Sequence, residues 1–127
     1  MSCNVLIVDD SAILRTCVKK VVKLAGIAED HIFEAANGQE ALQVLETVWT
    51  DLVLLDLNMP VMNGEQFVER VRSNPDLTDV AIVVVSTEAN RERLERLRSL
   101  GVVESLHKPF EPEELCQIIT KLLGVKL

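Results

Sequence analysis

Cysteine is scarce in these 127 residues and its count is odd: Cys3, Cys17 and Cys116. Three thiols at such long spacings make neither a disulfide framework nor a zinc knuckle. Cys17 and Cys116 fall among apolar neighbours and are expected to be small core residues, which fits a reducing cytoplasm. Basic residues are outnumbered, with 13 Lys and Arg against 20 Asp and Glu, for a formal net charge of -7. That balance argues against nucleic acid as a partner, because neutralising phosphates needs a basic surface. No apolar run exceeds strand length, so no membrane span is expected. No charged start leads into an apolar leader. Repeats, linkers and low-complexity segments are also missing. Residues 1–127 are therefore expected to form a single domain, with no output domain after the last helix.

What is present points to a folded α/β chain. The composition is 48% hydrophobic and 26% charged, which favours a globular domain over disorder. Asn4 to Val8 predict a first strand ending in Asp9-Asp10. Ser11 suits the N-cap of a helix carrying Ile13, Leu14, Cys17, Val18, Val21 and Val22 at helical spacing, with Gly26 as its stop. Residues 31–35 make a weaker strand, and 38–48 a helix with Ala41, Leu42, Leu45 and Val48 on one face. Residues 51–55 and 80–85 are continuous apolar runs, the mark of strands covered on both faces. Between them lie a loop shaped by Pro60, Asn63 and Gly64, then a helix over 65–72 with Phe67, Val68 and Val71 inward. A helix over 91–100 follows, with Leu94, Leu97 and Leu100 inward. Val102, Val103 and Leu106 frame a last strand ending at Lys108-Pro109. Pro112 opens a final helix with an acidic first turn and with Leu115, Ile118, Ile119, Leu122 and Leu123 buried. Five strand–helix units in alternation imply a doubly wound parallel sheet with helices on both faces.

In such sheets ligands bind beyond the carboxyl ends of the strands. Asp9-Asp10, Asp56, Ser86 and Lys108 finish four of the five apolar strands and so share one edge. Each alone has an ordinary reading: an N-cap for Asp9, Asp10 or Ser86, a turn start for Asp56, a solvated lysine for Lys108. Together they have a chemical logic. Clustered carboxylates repel and raise one another's pKa, and a divalent cation relieves that. Oxygen ligands with open positions suit Mg²⁺. A metal, an ammonium and a hydroxyl are what a phosphoryl group needs around its oxygens, and a carboxylate held there can accept it covalently.

The segments VLIVDDS, DLVLLDLNMPVMNG, VVVS and HKPF stand in the order of receiver-domain motifs. From Val5 to about Leu123 the chain resembles a response-regulator receiver domain of two-component signalling, of the single-domain CheY-like kind. The resemblance implies a flavodoxin-like (βα)5 fold with strand order 2-1-3-4-5. It implies that Asp56 accepts a phosphoryl group from a histidine kinase's phosphohistidine. Asp10 and Asp56 would ligate Mg²⁺ through side chains and Asn58 through its backbone carbonyl, with Asp9 acting mainly through a metal-bound water. Ser86 and Lys108 would each hold a phosphoryl oxygen, and the Lys108-Pro109 bond would be cis. The domain would catalyse its own dephosphorylation, with Asn58 and Glu88 at positions that tune attack by water. It would be a phosphoacceptor rather than an enzyme acting on other substrates.

Three positions depart from the family pattern. Ser105 stands where a switch aromatic is usual, Thr87 where a small residue is usual, and His107 where an apolar residue is commoner. His107 is expected to be a strand-end surface histidine. Arg91, Arg93, Arg96 and Arg98 read as a solvated face with pairs along the helix such as Glu92–Arg96. In receivers this helix, the last strand and the last helix form the usual partner face. The expected partners are a sensor histidine kinase or phosphotransfer protein and an output protein at that face. Neither nucleic acid nor membrane is expected as a partner, and the chain should be a monomer or a weak phosphorylation-dependent dimer. A phosphatase of the haloacid-dehalogenase type would want a second Asp where Asn58 stands, and a flavodoxin would want a Ser/Thr/Gly-rich loop after the first strand. A pseudo-receiver would have lost an acid or the lysine.

Overall fold

The computed structural model describes residues 3–77, 79–87 and 90–124. Five strands alternate with five helices: β1 (Val5–Val8), α1 (Ala12–Leu24), β2 (Ile32–Ala35), α2 (Gly38–Thr47), β3 (Leu52–Leu55), α3 (Gly64–Arg72), β4 (Ala81–Ser86), α4 (Arg91–Ser99), β5 (Glu104–His107) and α5 (Pro112–Leu123). The strands form one parallel sheet in the order β2-β1-β3-β4-β5. The expected architecture and strand order are therefore both present.

Successive strand residues point to opposite faces, and both faces are covered. Leu6, Val8, Val53, Leu55, Ile82 and Val84 pack in one core with residues of α2, α3 and α4. Val5, Ile7, Leu52, Leu54, Val83 and Val85 pack in a second with α1 and α5. This is why β1, β3 and most of β4 read as unbroken apolar runs. All four residues of β1 and of β3 are at most 2% exposed, and each contributes roughly 1.5–3 kcal/mol of burial.

Helix starts are built locally. Ser11 Oγ accepts the Leu14 N–H at 3.2 Å. Asn63 and Gln66 form a reciprocal capping box at α3, with bonds of 2.9 and 3.0 Å, satisfying donors the helix cannot. Gly26 follows the end of α1 at φ 102°, where a Cβ would be strained.

Several expectations need correction. In α1, Ile13 is 77% and Leu14 40% exposed, and Cys17 is exposed too; only Val18, Val21 and Val22 are buried. The helix is about 20 Å long at 1.5 Å per residue, whereas a four-residue strand spans about 13 Å. Its first turns therefore overshoot the sheet edge. Cys116 is buried as expected. The last strand begins at Glu104, not Val102. After Gly101 at φ 92°, the Val102 N–H still bonds back to Leu97, and Val103 is half exposed. Arg96 pairs with Glu69 at 2.8 Å and Glu65 at 3.7 Å across to α3, not with Glu92. His107 lies exposed at the end of β5, as expected.

Gly64 is where the fold bears most closely on the functional edge. A Cβ there would lie 2.7 Å from the Asp56 carbonyl oxygen and 2.8 Å from Leu57 Cα. Both are backbone atoms and cannot swing aside. Gly64→Ala is expected to destabilise the domain by about 1–3 kcal/mol through overpacking, read as a lower urea midpoint. An unchanged midpoint would refute this account of the glycine.

Candidate functional site

The strand ladder assembles the site. The Asp56 N–H donates to the Val8 carbonyl at 2.9 Å, which sets the end of β3 beside Asp9. The Lys108 N–H donates to the Ser86 carbonyl at 2.9 Å, which sets the end of β5 beside that of β4. Asp9, Asp10, Asp56, Ser86 and Lys108 thus meet at one edge because their strands are neighbours in register.

The three carboxylates each offer an oxygen within 4.8 Å of the others. Asp9 is 4% exposed, Asp56 partly buried and Asp10 exposed. Asp9 is the most fully engaged. Its Oδ1 accepts the Ser11 N–H at 2.9 Å and its Oδ2 accepts from Lys108 Nζ at 2.8 Å. Arg15 Nη1 donates to the Asp9 carbonyl at 2.6 Å, and Arg15 Nε pairs with Glu34 at 3.0 Å. Sequence reasoning missed this support by Arg15. The only available signal was an arginine one turn beyond the Ser11 cap.

Burial pushes the Asp56 carboxyl above its usual range. The Lys108 ammonium opposes that rise, and the Asp9 charge adds to it. The Asn58 N–H and the Ser86 hydroxyl, both donating to Asp56, work to lower it. Desolvation and a like charge win over one ammonium and two hydrogen bonds. Three carboxylates against one ammonium leave a local charge of −2.

A small hard cation fits that donor set: anionic oxygens, charge of matching magnitude, and an exposed side for waters at Asp10. Asp56 accepts from the Asn58 N–H and the Ser86 hydroxyl, and Asp9 from the Ser11 N–H and Lys108, which leaves lone pairs on both carboxylates beside the exposed Asp10. Ser86 is 2% exposed at the floor. Asn58 is exposed; its backbone faces Asp56, while its side-chain Oδ1 accepts from Arg93 Nη1 of α4 at 3.3 Å. The Lys108-Pro109 bond is cis. Thr87 is exposed next to Ser86, and Glu88 lies outside the described residues. Beyond the acids, the apolar first turns of α1 with Ile13 and Leu14 stand open to solvent.

Comparison with known proteins agrees with this geometry. The family model for the response regulator receiver domain matches residues 5–120. The chain is 31% identical to chemotaxis protein CheY1 of Helicobacter pylori over 122 residues, covering 95% of this chain and 97% of that one. It is 32% identical to a chemotaxis protein CheY homologue of Campylobacter jejuni, covering 95% and 92%. The structure of chemotaxis protein CheY4 of Vibrio cholerae superposes with a TM-score of 0.86 at 33% identity, covering 96% of this chain and 99% of that one. An acidic edge on a 2-1-3-4-5 sheet, matched over nearly its whole length by CheY relatives, places this chain in the response regulator receiver family, whose general function is that of a phosphoryl-accepting signalling switch.

Proposed function

We propose that Asp56 is the phosphoacceptor of this receiver, and that Asp9, Asp10, Asp56 and Asn58 form its Mg²⁺ site. The observation that carries this reading is the meeting of three carboxylate oxygens within 4.8 Å beside Lys108 and Ser86. Asp10 and Asp56 would hold the ion through their side chains and Asn58 through its backbone carbonyl, with Asp9 supporting the site from beside them. When bound, Mg²⁺ screens the charge between an anionic carboxylate and an incoming anionic phosphoryl group.

An Asp56 oxygen attacks phosphorus, the donor's bond to phosphorus breaks, and an acyl phosphate forms. Ser86 donates its hydroxyl to one phosphoryl oxygen. Lys108 leaves Asp9 to pair with another, so the ammonium follows the negative charge as it moves outward. The donor is a phosphohistidine on a sensor kinase or phosphotransfer protein, and Ile13 and Leu14 give its helix an apolar seat beside the acids. The domain hydrolyses its own acyl phosphate. An output protein binds across α4, β5 and α5, and the chain works as a monomer or weak phosphorylation-dependent dimer. The receiver acts in the cytoplasm, where its phosphohistidine donor would be found. Among the described residues no helix is long and apolar enough to cross a membrane.

Two measurements test the reading. Incubation with acetyl phosphate and Mg²⁺ is expected to add one phosphoryl group by intact mass. That adduct should disappear with chelator and in Asp56→Asn. An adduct that forms without metal, or that survives the substitution, would sink the mechanism. The second is stability. A carboxyl whose folded pKa lies above its unfolded value favours folding at acid pH, and the benefit is lost as pH rises through the folded pKa. At neutral pH without metal, the Asp56 charge therefore opposes folding. Asp56→Asn should unfold at a higher urea concentration than wild type in chelator, and added Mg²⁺ should narrow the gap by stabilising only the wild type. Equal midpoints in chelator would contradict the electrostatic account.

A further inference from the structure

Arg93 is tied to the functional edge although it lies 35 residues after Asn58. It sits in the first turn of α4, where its N–H donates to the Asn90 cap at 3.0 Å. Its guanidinium forms an ion pair with Glu65 of α3 through Nε and donates to Asn58 Oδ1 through Nη1 at 3.3 Å. Both side chains of the ion pair are largely buried, at 23% and 20% exposure. The Asn58 contact is long and at the surface, so the carboxylate anchors the arginine and the arginine in turn orients the amide. Reaching two partners in fixed directions suits the planar fork of a guanidinium; an ammonium has no such fork.

We propose that Arg93 restrains hydrolysis of the acyl phosphate, as a positioning residue that holds the Asn58 side chain away from the attacking water. This rests on the reading of Asp56 given above. In hydrolysis a water oxygen attacks phosphorus and the bond from phosphorus to the Asp56 oxygen breaks. The carboxylate re-forms and dihydrogen phosphate leaves with both water protons. Asn58 contributes its carbonyl to the metal through the backbone, so its amide is a separate group at the mouth of the site. The amide oxygen is the part able to accept a hydrogen bond from the attacking water and orient its lone pair. Arg93 occupies that oxygen and draws the side chain toward α4. The tether lengthens the life of the phosphorylated state without touching the metal ligands.

The test is the decay of protein phosphorylated with acetyl phosphate, followed after donor removal. Arg93→Ala is expected to shorten the lifetime roughly 3- to 10-fold, the rate equivalent of one hydrogen bond, with Mg²⁺ affinity by calorimetry unchanged. Arg93→Lys keeps the charge beside Glu65 but loses the fork, so it should decay like Arg93→Ala and guards against a loss of fold. In an Asn58→Ala background the Arg93 substitutions should have no further effect. A lifetime unchanged in Arg93→Ala, a wild-type lifetime in Arg93→Lys, or an equal effect with and without the Asn58 side chain overturns the role of Arg93 alone. Failure of the wild type to form any adduct on Asp56 overturns the underlying reading and this inference together.

Discussion

Like charge gathered at the rim of an apolar sheet is the constraint on which the rest depends. Parallel strands β1 and β3 are neighbours in register, so the residues that follow them cannot avoid one another. A fold that only had to be stable would not end both in aspartate. The surroundings limit the damage without removing it. Lys108 is committed to Asp9, Ser11 and Arg15 hold the Asp9 segment, and Asp56 keeps its raised pKa. The uncompensated charge is the part of the structure that a bound cation would neutralise, which fits the usual trade of stability for function.

The edge is also open in a particular way. α1 begins immediately after the acids and overshoots the strand it packs on, leaving Ile13 and Leu14 uncovered next to them. Apolar side chains in water beside a reactive carboxylate would be a liability in an isolated domain. On the proposed reading they would become an asset, as a seat for the phosphohistidine donor. The same length mismatch that defeats a simple helical-period reading of α1 therefore leaves this apolar surface open.

The sheet and its functional edge were legible in the sequence because both depend on short-range patterns. Unbroken apolar runs such as Leu52–Leu55 mark strands buried on both faces, and the polar residue that ends each run is one position further on. Asp9, Asp10, Asp56, Ser86 and Lys108 could be gathered without knowing a single distance. Exposure in α1 was not legible, because Ile13 and Leu14 keep the period of the buried Val18, Val21 and Val22; what differs is how far the sheet extends beneath them. The partners of the α4 arginines were hidden for another reason. Glu92 and Arg96 have ideal spacing along the helix, but packing brings Glu65 and Glu69 of α3 within reach, and sequence separation says nothing of that.

The contacts between the acidic edge and α4 are polar in this chain. Ser105, in β5, lines a shallow cavity of about 290 Å³ with Arg91, Leu94, Glu95 and Arg98, a small polar residue at the position where an aromatic is usual in receivers. α4 buries only Leu97 fully, with Leu94 and Leu100 partly packed on the core. Much of its attachment is through Arg93 and Arg96 to α3, and pairs as exposed as Arg96–Glu69 are worth about 0.2–1 kcal/mol each. Arg72 of α3 adds hydrogen bonds to the Leu100 and Gly101 carbonyls just past the helix, at 2.9 and 3.1 Å. Asn58 stands where that helix meets the acids, with its backbone toward Asp56 and its side chain on Arg93. On the proposed reading, a phosphoryl group at Asp56 and the seating of α4 would both bear on this one residue, and any coupling between them would be reciprocal.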